Sequence, residues 1–257
     1  MPETGVLVTR PAGQAESLCA RLEGADYRAL HCPMIEIEAL GAADPAQREM
    51  LLRLDQYQHL VFVSANAIRF GMEKIEHYWP QLPLGPNWFT MGRASAEQLR
   101  EYGVEVQFPP ADMTTEGLLQ LAPLSDVAGE RVLLVKGQGG RDSLLQVLSG
   151  RGARVDELET YRRVAPDLEP GYLGAEIQRN HVKALMLSSG EGLNNMVSLL
   201  DADERASLRD TLVVVPGVRV AEIARALGFR RIAQADNATD EKMFAALKEA
   251  LPSGGTE

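Results

Sequence analysis

The stretch VLLVKGQGGRDSLLQVL (Val132–Leu148) decides how this chain is read, because an earlier copy of it stands at VLVTRPAGQAESLC (Val6–Cys19). In both, an apolar run too short for a helix meets a glycine-bearing turn, and a helical pattern starts behind the turn. Gly140 repeats Gly13 at an offset of 127 (140 − 13). Three more blocks repeat in the same order. VFVSANAI (61–68) lies over LMLSSGEG (185–192), pairing Ser64 with Ser188 at 124. MGRASAEQLREYG (91–103) lies over PGVRVAEIARALG (216–228), pairing Gly92 with Gly217 and Gly103 with Gly228 at 125. ADMTTEGL (111–118) lies over DNATDEKM (236–243), pairing Thr114 with Thr239, also at 125. Four ordered blocks at nearly one spacing describe two copies of one α/β unit.

The apolar runs at 6–9, 60–63, 88–91, 132–135, 184–187 and 212–215 are rich in β-branched residues, and each is followed by a turn and a helical pattern. Continuous apolar strands alternating with helices predict parallel sheets covered on both faces. The segments PMIEIEAL (33–40) and YRRVAPD (161–167) are extended, bounded by proline, and carry no helix signal. Read as two linkers, they divide the chain into a discontinuous domain of residues 1–35 and 166–257 and a second domain of residues 37–164, with a hinge and a cleft between them.

Composition narrows the function. A formal net charge of −10 over 257 residues argues against gripping a nucleic-acid backbone. The two cysteines are too few for a disulfide framework and fit a reducing compartment. No apolar run approaches a membrane span, and MPETGVLVTRP has no leader pattern, so a cytoplasmic protein without membrane or nucleic-acid partners is expected.

In an open parallel sheet, ligands bind beyond the carboxyl ends of the strands, where helix N-termini present amides. Here those turns are TRPAG (9–13), SANA (64–67), GRAS (92–95), KGQGGR (136–141), SSGEG (188–192) and PGVRV (216–220). They are rich in serine and glycine and poor in acids, with Arg10, Arg93, Lys136, Arg141 and Arg219 supplying charge, which suits a polyanion. Serine and glycine in such turns also serve simply as caps. Other chemistries lack their residues. Gly137 and Gly139 fit the start of a dinucleotide fingerprint, but Asp142 takes the third glycine's place. His31, His59, His77 and His181 have no metal-ligand spacing, and no Gly-x-Ser-x-Gly elbow surrounds Ser64, Ser188 or Ser189. Asp201 and Asp203 spell Asp-x-Asp, but away from a strand end.

Taken together, VLVTRPAGQ, VFVSANAI, GGRDSLLQVLSGRGARVDELETYRR, LSSGEGL and VAEIARALGF resemble uroporphyrinogen-III synthase. The resemblance implies two flavodoxin-like α/β domains with parallel sheets joined by a double extended linker. It also implies a monomeric enzyme that closes the linear tetrapyrrole hydroxymethylbilane to uroporphyrinogen III, with no cofactor and no metal. In the block ending YRR it assigns Tyr161 to assisting departure of the substrate hydroxyl. It carries substrate contacts onto Arg10, Ser64, Ala65, Asn66, Ser95, Gly139, Gly140, Arg141, Ser188, Ser189, Gly190, Gly217 and Val218, mostly through backbone. Val220 departs from the pattern, standing where the family often has a hydroxyl. The rival from another class is a two-domain cytoplasmic module that binds a small polyanion or sugar without catalysis.

Overall fold

The computed structural model describes residues 4–111, 113–140 and 142–251. Among them the strands are β1 (Gly5–Val8), β2 (Arg28–His31), β3 (Glu36–Ala39), β4 (His59–Phe62), β5 (Asn87–Thr90), β6 (Val106–Gln107), β7 (Arg131–Gly137), β8 (Arg154–Val164), β9 (Val182–Met186), β10 (Leu212–Pro216) and β11 (Arg231–Ala235). The six apolar runs all became strands, within a residue or two of where the pattern placed them. Both extended segments also lie partly in strands, as β3 and the end of β8.

The chain divides into two compact units, one made of residues up to Ile37 together with those from Val164 onward, the other of Glu38–Arg163. One sheet has the order β2-β1-β9-β10-β11 and the other β3-β8-β7-β4-β5-β6. Pairing is parallel from β2 through to β11 in the first, and from β8 through to β6 in the second. By chain order the first sheet reads second-first-third-fourth-fifth, the flavodoxin-like arrangement.

Burial explains why these strands form continuous apolar runs. In the first unit Val6, Val8, Ala184, Met186, Leu212 and Val214 face one core, while Leu7, Leu185, Val213 and Val215 face the other. Successive side chains alternate across the sheet, so a strand covered by helices on both faces is apolar at every position. In the second unit Val61, Phe89, Val132 and Leu134 share one core. On the opposite face Phe62 and Val135 meet the helix Ala65–Tyr78 at Gly71, where a Cβ would stand 2.5 Å from Cγ1 of Val135.

The sequence repeat and the compact unit are not the same object. β1 and β2 belong to the first copy but share a sheet with β9, β10 and β11 of the second; β7 and β8 of the second share a sheet with β4, β5 and β6 of the first. The two copies have thus exchanged their leading β-α-β pieces. The pairing of Ser64 with Ser188 at 124 holds for the strands. The serine that caps the following helix is Ser189, so the caps match at 125 (189 − 64) and the second turn is one residue longer.

Polar residues gather at the opposite strand ends of the Glu38–Arg163 unit. Buried His59 meets the Glu130 carboxylate at 2.6 Å and packs edge-on to Phe89. Tyr57 donates to Asp156 at 2.7 Å, and burial followed by that bond pushes its phenol far above its ordinary pKa. Trp88 stacks on Phe62 and Trp79 donates to the Leu51 carbonyl at 2.6 Å, so both tryptophans serve packing. Among the described residues no helix is long and apolar enough to cross a membrane, and no three His, Cys, Asp or Glu side chains gather as a metal site.

The Gly71 contact makes a stability test. Gly71→Ala gains about 1 kcal/mol of helix propensity but overpacks the Val135 contact at a cost of about 1–3 kcal/mol, so its urea midpoint should fall. Gly150→Ala, at a helical glycine where a methyl group would meet nothing within 4 Å, should hold or raise the midpoint.

Candidate active site

In a sheet of this order the ligand crevice lies where the strand order reverses. For the Glu38–Arg163 unit that point is between β7 and β4, flanked by the turns 137–140 and 63–65. β8 pairs with β7 in regular register from Arg131 opposite Arg154 to Lys136 opposite Glu159. It then slips one residue, bringing Tyr161 opposite Gly137. Such an irregularity re-aims a side chain at a strand end.

Here it lays the Tyr161 ring across Gly137. A Cβ at position 137 would sit 2.5 Å from Cζ and 2.6 Å from Cε2 of that ring. Tyr161 keeps only 5% of its surface exposed, with Phe70 on one side at a ring separation of 6.0 Å. Its hydroxyl stands 3.0 Å from the Ser64 Oγ. Ser64 is also the N-cap of the helix Ala65–Tyr78, accepting from the Ala67 amide at 3.0 Å. A cavity of about 250 Å³ opens here, lined by Ser64, Lys136, Gly137, Gly140, Glu157 and Tyr161 among others.

Lys136 is 7% exposed and binds the Glu157 carboxylate at 2.7 Å, with Asp142 at 3.6 Å. Burial works against its charge, but the bond and charge of Glu157, helped by Asp142, hold its pKa above the ordinary lysine value. The lysine is therefore charged, and its charge is answered within the wall. Lys136 was expected to supply free charge for an anion; the structure gives it a partner instead.

The remaining residues fall into place by element. Gly139 and Gly140 are exposed, with φ of 71° and 95°, a region that favours glycine, and Gly13 repeats this at 80°. Arg141 lies outside the described residues. Ala65 and Asn66 form the first turn of the capped helix, where amides have no partner in the helical ladder. Ser95 is half-buried in the first turn of the helix Arg93–Arg100.

In the other unit Ser188 precedes Ser189, which caps the helix Gly190–Ser198 by accepting from Gly192 at 3.0 Å. A hollow of about 500 Å³ there is lined by Ser189, Gly190, Asn194 and Arg219 among others. Gly217, with φ of 75°, and exposed Val218 open the helix Gly217–Ala226. Val220 is 3% exposed and packs in the core, so its side chain faces no ligand. Arg10 is ion-paired with Asp240 and donates to the Ala238 carbonyl at 2.5 Å, so its guanidinium is already occupied. Asp201 caps a helix in a reciprocal capping box with Glu204, which accounts for the Asp-x-Asp letters.

Two features escaped the sequence reading. Gly137 was visible only as half of a failed fingerprint, since nothing local says that a ring lies over it. Glu157 does leave a trace: in DELETY a strand's two-residue period puts Glu157 and Tyr161 on one face.

Fold and site together define a two-unit parallel α/β protein with capped helices and glycine turns at its strand ends, and with the buried phenol of Tyr161 beside the turn at Gly137. The model of the family described as Uroporphyrinogen-III synthase HemD matches residues 16–245, and the chain belongs to that family. It is 32% identical to the uroporphyrinogen-III synthase of Salmonella typhimurium over 246 residues, 95% of this chain and 99% of that one. It is likewise 32% identical to the Escherichia coli uroporphyrinogen-III synthase over 248 residues, with the same coverage. Among solved structures, a mutant uroporphyrinogen III synthase from Thermus thermophilus matches with a TM-score of 0.60 at 20% identity, over 96% of this chain and 98% of that one. The Helicobacter pylori uroporphyrinogen-III synthetase matches at 0.59 and 13% identity, over 96% and 99%. At these identities the structures speak to the fold.

Gly137→Ala should displace the Tyr161 ring, at a cost of about 1–3 kcal/mol for overpacking. The expected result is a lower urea midpoint together with at least a tenfold loss of turnover. A variant with wild-type stability and wild-type turnover would show that the close approach is immaterial.

Proposed function

We propose that this chain is an enzyme of tetrapyrrole biosynthesis that cyclises hydroxymethylbilane to uroporphyrinogen III, losing water and inverting the last ring. Membership of the family supports the reaction, and the observation that supports its chemistry is the buried phenol of Tyr161 lining a cavity. The substrate's hydroxyl is a poor leaving group. Tyr161 gives it a proton, water departs, and an azafulvene cation remains. The last ring attacks through its substituted carbon, and the resulting spiro intermediate breaks and recloses. The proton released when that pyrrole regains aromaticity returns to the Tyr161 oxygen, so atoms and charge balance over the cycle.

The unassisted bilane closes head to tail, so selectivity comes from holding the chain ends in the less accessible geometry. Amides and hydroxyls at Ser64–Asn66, Ser95, Gly139–Arg141, Ser188–Gly190 and Gly217–Val218 are the groups assigned to the eight carboxylate arms. Arg10 contributes through its backbone, because its side chain is engaged by Asp240. The reading extends to a monomer acting in the cytoplasm without metal or cofactor. Free Cys19 and Cys32, both with thiol pKa values pushed up by burial, fit a reducing compartment.

Incubation with freshly made hydroxymethylbilane, oxidation and separation of the porphyrin isomers tests the reaction. Isomer III should predominate, and isomer I alone, as in a blank, would refute it. Tyr161→Phe should lower kcat by roughly 10²–10⁴-fold, the usual worth of a general acid. Full activity in that variant would remove the phenol from the mechanism.

A further inference from the structure

We infer that Ser64 acts on Tyr161 and not on the substrate: it is the positioning residue that holds the phenol oxygen and takes up the charge left there when the proton departs. The inference rests on the reaction proposed above and assigns Ser64 a different part in it. The Ser64 Oγ has two lone pairs and one hydrogen. One lone pair is taken by the Ala67 amide at 3.0 Å, and the Tyr161 hydroxyl lies 3.0 Å away on another side. While Tyr161 is neutral, either oxygen can donate. Once Tyr161 has given its proton to the leaving hydroxyl, its oxygen can only accept, and the Ser64 hydrogen is the group within reach. The Ala67 amide polarises that hydroxyl and strengthens it as a donor.

Behind Ser64 runs the fourteen-residue helix Ala65–Tyr78, whose positive end favours negative charge at its N-terminus. Amide, serine and phenol thus form one chain of hydrogen bonds aimed at the point where charge develops. Lys136 and Glu157 line the same cavity, but they answer each other at 2.7 Å. Ser64 is half-buried and committed on two sides, which leaves its hydroxyl poorly placed to serve a carboxylate arm as well.

Four substitutions separate this part from helix capping and from substrate contact. Aspartate caps a helix as well as serine does, and glycine nearly as well, but neither offers a hydroxyl hydrogen. Ser64→Asp and Ser64→Gly should therefore fold normally and lose about 10- to 100-fold in kcat, with KM changed less than about threefold, as for an interaction felt only in the transition state. Ser64→Thr should restore most of kcat. In a Tyr161→Phe background, Ser64→Gly should cause no further loss. The Tyr161 titration, followed by NMR of carbon-labelled tyrosine, should move upward in Ser64→Gly. An equal kcat loss with or without the phenol, a rise in KM alone, or an unmoved titration would overturn the inference. If wild-type protein made only isomer I, the proposed reaction would fail, and the titration would still decide whether Ser64 is coupled to Tyr161.

Discussion

The site depends on one close approach. β8 slips a residue against β7, and the Tyr161 ring comes down where Gly137 has no side chain. The slip sets the direction of the ring, Phe70 closes one side, and the Ser64 hydroxyl receives the phenol oxygen. None of these contacts is strong alone, since a neutral hydrogen bond contributes about 1 kcal/mol net. Together they leave a phenol one place to be, which is what catalysis by position requires.

The duplication makes the same point by contrast. Position 137 of one copy corresponds to Arg10 of the other (137 − 127), and Tyr161 corresponds to Met34 (161 − 127). Where the glycine is replaced by arginine, the aromatic ring is replaced too. Arg10 turns to Asp240, while Met34 is fully buried and its carbonyl accepts from Asn195 at 2.8 Å. Capping serines persist in both copies, at Ser64 and Ser189. The shared features are those that make helix starts and turns; the unshared ones are those that place the buried phenol of Tyr161 over Gly137. One unit therefore holds the phenol, and the other keeps only the turn framework.

Much of the architecture was legible because it is local. Apolar runs at strand length and helix starts behind serine can be read within ten residues, and the repeat confirms them by appearing twice. Ser64 as a cap belongs to that class, whereas the repeat pairs it with Ser188 and the second cap is Ser189, one residue on. The strand exchange between copies is already contained in the reading of 33–40 and 161–167 as linkers, which groups residues 1–35 with 166–257 and leaves 37–164 together. Arg10 shows the limit from the other side: its residue type and turn promised an anion ligand, but Asp240, 230 positions away, binds it first. Gly137 and Tyr161 lie 24 positions apart, and a one-residue slip in register decides whether they meet. Pattern alone does not carry such slips.

The charge in the cavity wall bears on which part of a polyanionic substrate enters it. Lys136 is the buried cation there, and Glu157 and Asp142 both stand within 4 Å of it. Glu157 lines the cavity beside Lys136 and takes up its charge, while Arg163 supplies a second, exposed cation to the same wall. A neutral hydroxymethyl group needs no counter-charge there, and on the proposed reaction the Glu157 carboxylate in the wall favours the cation formed when its hydroxyl leaves. The glycine turn at 139–140 lines the same cavity as Tyr161, so on the proposed reaction an arm held by that turn would bring the reacting end to the phenol.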